Sequence, residues 1–177
     1  MSWESQAALS NLGSLVNVVA APLLLEPTLA LPIMLAALAL GAASGGFHAI
    51  RNRFWQKLDV WSVMLQIFAV TGLAAAQIGP DVLAWVIPLT AGMIYFGARY
   101  DINLPRHVYA SVGITTALMF FTFGWWTLLP LSLFVLGGIG KLIEWERKDV
   151  GPHGPIHAWL WHQPVFMSVL SVIWLCS

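Results

Sequence analysis

The sequence predicts an all-α membrane protein, a bundle of seven transmembrane helices that forms a single domain over residues 1–177. Hydrophobic residues make up 59% of the chain and charged residues only 9%, whereas roughly a quarter of the residues in a soluble domain are charged. The mean hydropathy is +0.78. Since so few charges cannot solvate a globular surface, the lipid bilayer is the expected solvent.

Apolar segments, several of them near the roughly 20 residues that cross a bilayer core, follow one another along the chain. Their expected ranges are 9–25, 29–50, 58–78, 82–95, 108–123, 126–143 and 156–175. Turn-forming residues separate several of them, namely Glu26 with Pro27, Gly79 with Pro80, Gly124, and the stretch from Gly151 to Pro155. Irregular backbone is costly in lipid, so we expect these breaks at the membrane interface or inside protein.

Basic residues are confined to three connections, at positions 51–57, 99–106 and 141–148. With seven spans these connections share one side of the membrane with the N-terminus. The positive-inside rule then predicts a multi-pass protein with a cytoplasmic N-terminus and an external C-terminus. The net charge of zero offers no basic excess for binding nucleic acid.

The two ends of the chain suggest little chemistry. Residues Met1 to Ser5 lack the basic segment of a signal peptide, so we expect the first span to be retained. The single cysteine, Cys176, cannot form an intrachain disulfide or a cysteine-based metal site, and we expect it to behave as a small apolar residue.

Histidines collect on the basic side of the predicted membrane protein: His48, His107, His153, His157 and His162. His48 ends a long apolar segment, and Asp59 follows after a short polar connection. Ionisable groups at membrane depth are costly and usually functional. A catalytic zinc site needs three protein ligands, and His48 with two histidines of the seventh span supplies that number. We therefore expect a zinc site near the cytoplasmic face.

Ser44 lies four residues before His48, so the two side chains share one face of a helix. Gly45 and Gly46 between them would let a neighbouring helix approach closely. Asp59 could accept a proton from water or orient a metal ligand. Ordinary alternatives stay open: Ser44 as a small packing residue, and Asp59 as the cap of the third span or the partner of a nearby arginine.

These residues, in this order, resemble the pattern of the CREST superfamily of seven-span membrane zinc hydrolases, which includes the alkaline ceramidases and the PAQR adiponectin-receptor-like proteins. The pattern has a Ser and a His four apart at the end of span two, an Asp at the start of span three, and two His at the start of span seven. Here the matching residues are Ser44, His48, Asp59, His157 and His162. The alkaline ceramidases are the most similar branch.

The resemblance implies Zn2+ held by His48, His157 and His162, with Ser44 and Asp59 as catalytic residues beside a water molecule. It implies a membrane lipid as substrate, either a sphingolipid-like (ceramide-like) amide or another acyl amide or ester. The first residues, from Trp3 to Asn17, loosely resemble the start of the ceramidases, where calcium can bind. Because acidic residues are few there, the calcium site is not carried over.

The last two histidines depart from the family pattern, which usually separates them by four residues. His157 and His162 are five apart, which on a regular α-helix turns them roughly 140° from each other rather than about 40°. A shared metal would need a π-bulge or a loose first turn. The alternative pairs His153 with His157, although Pro155 disfavours regular helix there. We favour His162, because the family's His-Ala and Trp-His pieces both survive.

Other functions fit parts of the sequence. A receptor or sensor of the PAQR type with a structural zinc would share the bundle, but the short connections offer a peptide hormone little surface. A bis-His haem carrier would also use histidines on different helices. An ion or proton pathway would need polar groups through the full membrane depth, and spans four to six contain almost no ionisable residues.

Overall fold

The computed structural model describes residues 3–50, 52–82, 104–146 and 157–177, and this part of the chain is helical, without a strand. The α-helices are α1 (Trp3–Ser10), α2 (Ser14–Leu24), α3 (Pro27–Ile50), α4 (Arg53–Ile78), α5 (Leu104–Phe123), α6 (Leu128–Glu146) and α7 (Gln163–Leu175). Short 3₁₀ turns cover Asn11–Gly13 and Gly124–Thr127, and a π-helical segment covers His157–His162. The all-α prediction is confirmed for these residues.

Within the described ranges, apolar helical stretches long enough to cross a membrane cover Ser5–Leu24, Pro27–Ile50, Arg53–Ile78 and Ala110–Gly140. A shorter apolar helix covers Trp159–Leu175. The 31-residue stretch from Ala110 is interrupted at Gly124, whose φ of 53° is a left-handed conformation that glycine adopts without strain. The 3₁₀ turn that begins at Gly124 divides the stretch into α5 and α6. The break predicted at Gly124 is therefore confirmed.

Two further predicted breaks coincide with helix ends. Leu25 is extended and ends α2, and α3 then begins at Pro27, where the missing N–H of proline has no cost. Gly79, with φ of 149°, ends α4. Almost all of the predicted span over 82–95, and the stretch from Gly151 to Pro155, lie outside the described residues.

The start of α4 differs from the sequence expectation. The helix begins at Arg53, well before the expected start at Leu58, because the side chain of Asn52 accepts a hydrogen bond from the Trp55 backbone N–H at 2.9 Å. Asp59 consequently lies in the second turn of α4. The alternative in which Asp59 caps the third span is therefore wrong.

The apolar core lies in the half of the bundle far from the α3–α4 connection. It joins the end of α2, the first half of α3 and the second halves of α4 and α7 to Met119 of α5. Small side chains such as Ala30, Ala36, Ala69 and Ala74 let the helices approach closely, as is typical of packing between membrane helices.

The opposite half of the bundle brings together the end of α1, the end of α3, the start of α4 and the π-helical segment; we call it the polar end. A Cβ on Gly46 would overlap the ring of Trp55, and a Cβ on Gly45 would lie 3.8 Å from the carbonyl oxygen of Ala8. His162 reaches the same end through its contact with Ser10. Gly46 thus permits the close approach that the sequence predicted, whereas the contact at Gly45 leaves room for a Cβ.

Candidate metal centre

His48 lies in the last turn of α3 with only 2% of its surface exposed. Ser44, one turn earlier on the same face of the helix, is 4% exposed. Burying an imidazole and a hydroxyl costs free energy unless each makes polar contacts. Both side chains therefore need polar partners inside the bundle.

The backbone around the last two histidines is π-helical from His157 to His162. In a π-helix the hydrogen bonds run from residue i to i+5, so residues five apart are slightly more than one full turn round the axis and lie on roughly the same face. The backbone therefore meets the condition for pairing these two histidines. The side chain of His157 and all of His153 lie outside the described residues, so the pairing itself stays a prediction.

His48 and His162 are in ring contact inside the bundle. Their ring centroids are 5.3 Å apart and the ring planes are inclined by 63°. His162, like His48, is almost fully buried. Two imidazoles on a tetrahedral zinc, with Zn–N bonds of about 2.0–2.1 Å, have ring centres roughly 5 Å apart. The separation of these two rings thus fits a shared metal.

Ser10, at the end of α1, contacts the ring of His162. Its Oγ donates to the carbonyl oxygen of Ala7 at 2.7 Å and lies 2.6 Å from His162 Nδ1. Gln163 donates from Nε2 to the Ser10 carbonyl oxygen at 2.9 Å. No pattern in the sequence marks Ser10, because a single serine in an apolar segment belongs to no motif.

Asp59 belongs to the same end of the bundle. It lies four residues after Trp55, whose ring packs against Gly46, so both residues are on one side of α4. Its backbone carbonyl oxygen accepts a hydrogen bond from Ser62 Oγ at 2.6 Å. The fold therefore places Ser44, His48, Asp59 and His162 at the polar end, and their roles in a site stay predictions.

The donors described so far suit zinc in kind. Neutral imidazole nitrogen is a favoured zinc ligand, and both rings are buried among helices rather than exposed to water. Among the side chains that the structure describes, His, Cys, Asp and Glu do not form a group of three that could hold a metal. The third predicted ligand, His157, has a side chain outside that set, and so does His107.

Two asparagines near the start of the chain are buried. Asn17 donates from Nδ2 to the carbonyl oxygen of Phe166 in α7 at 3.3 Å, and Asn11 donates to that of Ala7 at 2.9 Å. The bond from Asn17 attaches α2 to α7, whereas the bond from Asn11 is local to the turn after α1. They give this polar stretch a role in packing.

Comparisons of the chain with protein-family models, with curated proteins and with solved structures find no match. A functional assignment therefore depends on the chain's own residues and their geometry.

Proposed function

We propose that this protein is a seven-span membrane hydrolase that uses Zn2+ held by His48, His157 and His162 to cleave a lipid amide or ester. The observation that carries the proposal is the contact of two buried imidazoles, His48 and His162, with ring centroids 5.3 Å apart. Polar groups at membrane depth are retained where they serve a site. The pattern that resembles the CREST superfamily supplies the reaction class.

The direction of the helices supports the count of seven spans. α4 begins at the polar end, and α5 ends at the turn that leads into α6, far from that end. Thr71 Oγ of α4 lies 2.6 Å from Thr115 Oγ of α5, each about two turns before its helix ends. Both helices thus run away from the polar end. In the proposal, one further span between them brings the chain back to the polar end and makes the total seven spans.

The same arrangement supports an orientation in the membrane. Arg53 and Lys57 lie in the first turns of α4, at the polar end. The proposal places the other basic connections at the same end. The positive-inside rule then makes the polar end, the zinc site and the N-terminus cytoplasmic and the C-terminus external.

Each residue at the polar end has a role in the proposed reaction. Zinc, when bound, supplies the Lewis acidity that activates water and polarises the substrate carbonyl. Asp59 accepts the proton of the attacking water and returns it to the leaving amine or alcohol. Ser44 donates a hydrogen bond from Oγ to the carbonyl oxygen as negative charge develops on it.

An apolar groove of about 500 Å³ between α3 and α4 supports a substrate with an acyl chain. Its volume lies in the range of roughly 300–1,000 Å³ that is usual for ligand pockets. The groove is lined by Ala39, Ala42, Ala43, Trp55, Leu58, Trp61, Ser62 and Leu65. Ala43 and Trp55 adjoin Ser44 and Gly46, so a chain in the groove would lead from the lipid to the polar end.

Metal content is the first test. Mass spectrometry on protein purified in detergent should find about one zinc per chain in the wild type, and loss of zinc in His48→Ala, His157→Ala and His162→Ala, because a catalytic site has three protein ligands. His107→Ala is the matched control and should retain zinc. If His153→Ala loses zinc and His162→Ala retains it, His153 would be the third ligand in place of His162. A folded, helical wild type without zinc would overturn the proposal.

Hydrolysis is the second test. The zinc-loaded protein in mixed micelles should release fatty acid from an N-acyl sphingoid base or from an acyl ester, and His48→Ala should not. Zinc binding without release from any amide or ester would contradict the hydrolase and favour the receptor or sensor with a structural zinc.

A further inference from the structure

We infer that Ser10 is a positioning residue of the metal centre, which fixes the tautomer of His162 so that Nε2 is the nitrogen offered to a metal. The inference rests on the proposed function, because it concerns one ligand of the proposed zinc. Its basis is a buried hydrogen bond between the end of α1 and the π-helical segment, made by residues at opposite ends of the chain.

The proton inventory of the Ser10 hydroxyl decides the tautomer. A serine hydroxyl has one proton to donate and two lone pairs to accept with. Its oxygen lies 2.7 Å from the carbonyl oxygen of Ala7, which can only accept, and 2.6 Å from His162 Nδ1, which can donate or accept. Both contacts are hydrogen bonds only if Ser10 donates to Ala7 and accepts from Nδ1. Nδ1 therefore carries the hydrogen. Since a neutral imidazole has one N–H, Nε2 is left with its lone pair.

The acceptor is itself held in position. Ser10 is 7% exposed, and Gln163, the residue after His162, donates to its carbonyl oxygen at 2.9 Å. A methyl on Gly13 would lie 2.8 Å from Gln163 Oε1, so the chain after α1 packs closely against the start of α7. Two consecutive residues thus bond to Ser10, one through its hydroxyl and one through its carbonyl.

This geometry has a chemical consequence for His48 as well. The ring of His162 contacts that of His48 in an inclined arrangement, while its Nδ1 bonds to Ser10. A histidine ligand in proteins usually donates its second N–H to an acceptor, which orients the ring and raises the basicity of the ligating nitrogen. Ser10 is that acceptor, and Nε2 is the nitrogen that would join His48 on one metal ion.

Metal affinity and the absorption of bound cobalt test the inference without an activity assay. Ser10→Ala should weaken zinc binding, measured by competition with a chromogenic chelator, by roughly 10- to 100-fold, and should change the visible d–d bands of Co2+. Ser14→Ala is the matched control. Ser14 is also buried and also donates to a backbone carbonyl three residues earlier, that of Asn11 at 2.8 Å, so this variant should retain the wild-type affinity and spectrum.

Ser10→Cys serves if the alanine variant does not fold, since a thiol leaves no cavity at this buried position and is only a weak acceptor. It should also lose affinity. Wild-type affinity and an unchanged cobalt spectrum in a folded Ser10 variant would overturn the inference and leave the proposed function intact. An equal loss in Ser14→Ala would overturn it too, because the effect would then be general loosening. A wild type that binds neither zinc nor cobalt would refute the proposed function instead.

Discussion

Gly140 of α6 lies directly against Leu160 of the π-helical segment. A methyl group on Gly140 would lie 2.6 Å from Leu160 Cβ and 2.8 Å from the Leu160 carbonyl oxygen, distances that carbon atoms do not tolerate. One turn earlier, a methyl on Gly137 would lie 3.4 Å from the carbonyl oxygen of Trp161. The glycines of α6 therefore let the backbone that carries His157 and His162 approach another helix closely.

Gly140→Ala should displace this segment. Overpacking of this kind costs about 1–3 kcal/mol, so the melting temperature in detergent and the zinc affinity should both fall. Gly138→Ala is the matched control, because a Cβ there meets open space and alanine favours the helix by about 1 kcal/mol over glycine. Equal melting temperatures and affinities for the two variants would show that the close contact has no energetic weight.

Asp59→Asn should separate catalysis from metal binding. The amide cannot take up a proton from water, so the rate of fatty-acid release should fall by roughly 10²- to 10⁴-fold. The zinc content should not change, because Asp59 is not one of the proposed ligands. Asp81→Asn, at an exposed position beyond the far end of α4, is the control for the loss of a carboxylate. Full activity in Asp59→Asn would remove this residue from the mechanism.

Ala42→Leu should narrow the groove between α3 and α4. The extra carbons occupy space that an acyl chain would use, so kcat/KM for a long-chain substrate should fall on the order of tenfold while that for a short-chain analogue changes less. Ala117→Leu, on an exposed face of α5, is the control for added bulk. If both chain lengths were cleaved as by the wild type, the acyl chain would bind elsewhere.

The hydroxyls of Thr71 and Thr115 form a buried contact of 2.6 Å between α4 and α5. Each oxygen also lies within hydrogen-bond distance of the backbone carbonyl four residues earlier in its own helix. Because a hydroxyl has one proton, the threonine that donates across the contact gives up the bond to its own helix. A double-mutant cycle with Thr71→Val and Thr115→Val, measured by unfolding in mixed micelles, should therefore give a coupling of only about 0.6 kcal/mol. Thr122→Val, which also removes a bond to its own helix, should show no coupling to Thr71→Val. A coupling near zero for the buried pair would mean that the two hydroxyls do not interact.

Burial raises the pKa of the Cys176 thiol, just beyond the end of α7, to about 12. The thiolate is the reactive form, and a raised pKa keeps the thiol protonated in the folded protein. The comparison is an exposed thiol, made by Ser177→Cys in a Cys176→Ala background. At pH 8 a water-soluble maleimide should react with Cys176 at least roughly tenfold more slowly than with this thiol. At about pH 9 the rate for Cys176 should still be rising, whereas that of an ordinary thiol, with a pKa of about 8.5, approaches its maximum. Equal rates at pH 8 would show that the thiol is accessible and unperturbed.

Much of the fold can be derived from local sequence. Each apolar segment in lipid must satisfy its own backbone hydrogen bonds, so hydropathy predicts helices, and residues such as Pro27, Gly79 and Gly124 mark where helices begin or end. Helical spacing also predicts that Ser44 and His48 share a face. Hydropathy did not predict the earlier start of α4, because the residues from Arg53 to Lys57 are mostly polar. They are helical because the Asn52 side chain caps the helix there.

By itself, then, the sequence determined the helical class, the breaks at Gly79 and Gly124, and the shared helix face of Ser44 and His48 at the end of α3. Only the tertiary structure decided which of these residues meet. The contact of His48 with His162 and the bond from His162 to Ser10 join segments that are remote in sequence, and no local pattern encodes such neighbours. The π-helical segment also packs closely against Gly140 of α6, another contact between segments that are apart in the sequence. Local periodicity specifies the faces of a helix, whereas the identity of the partner depends on how all the helices pack together.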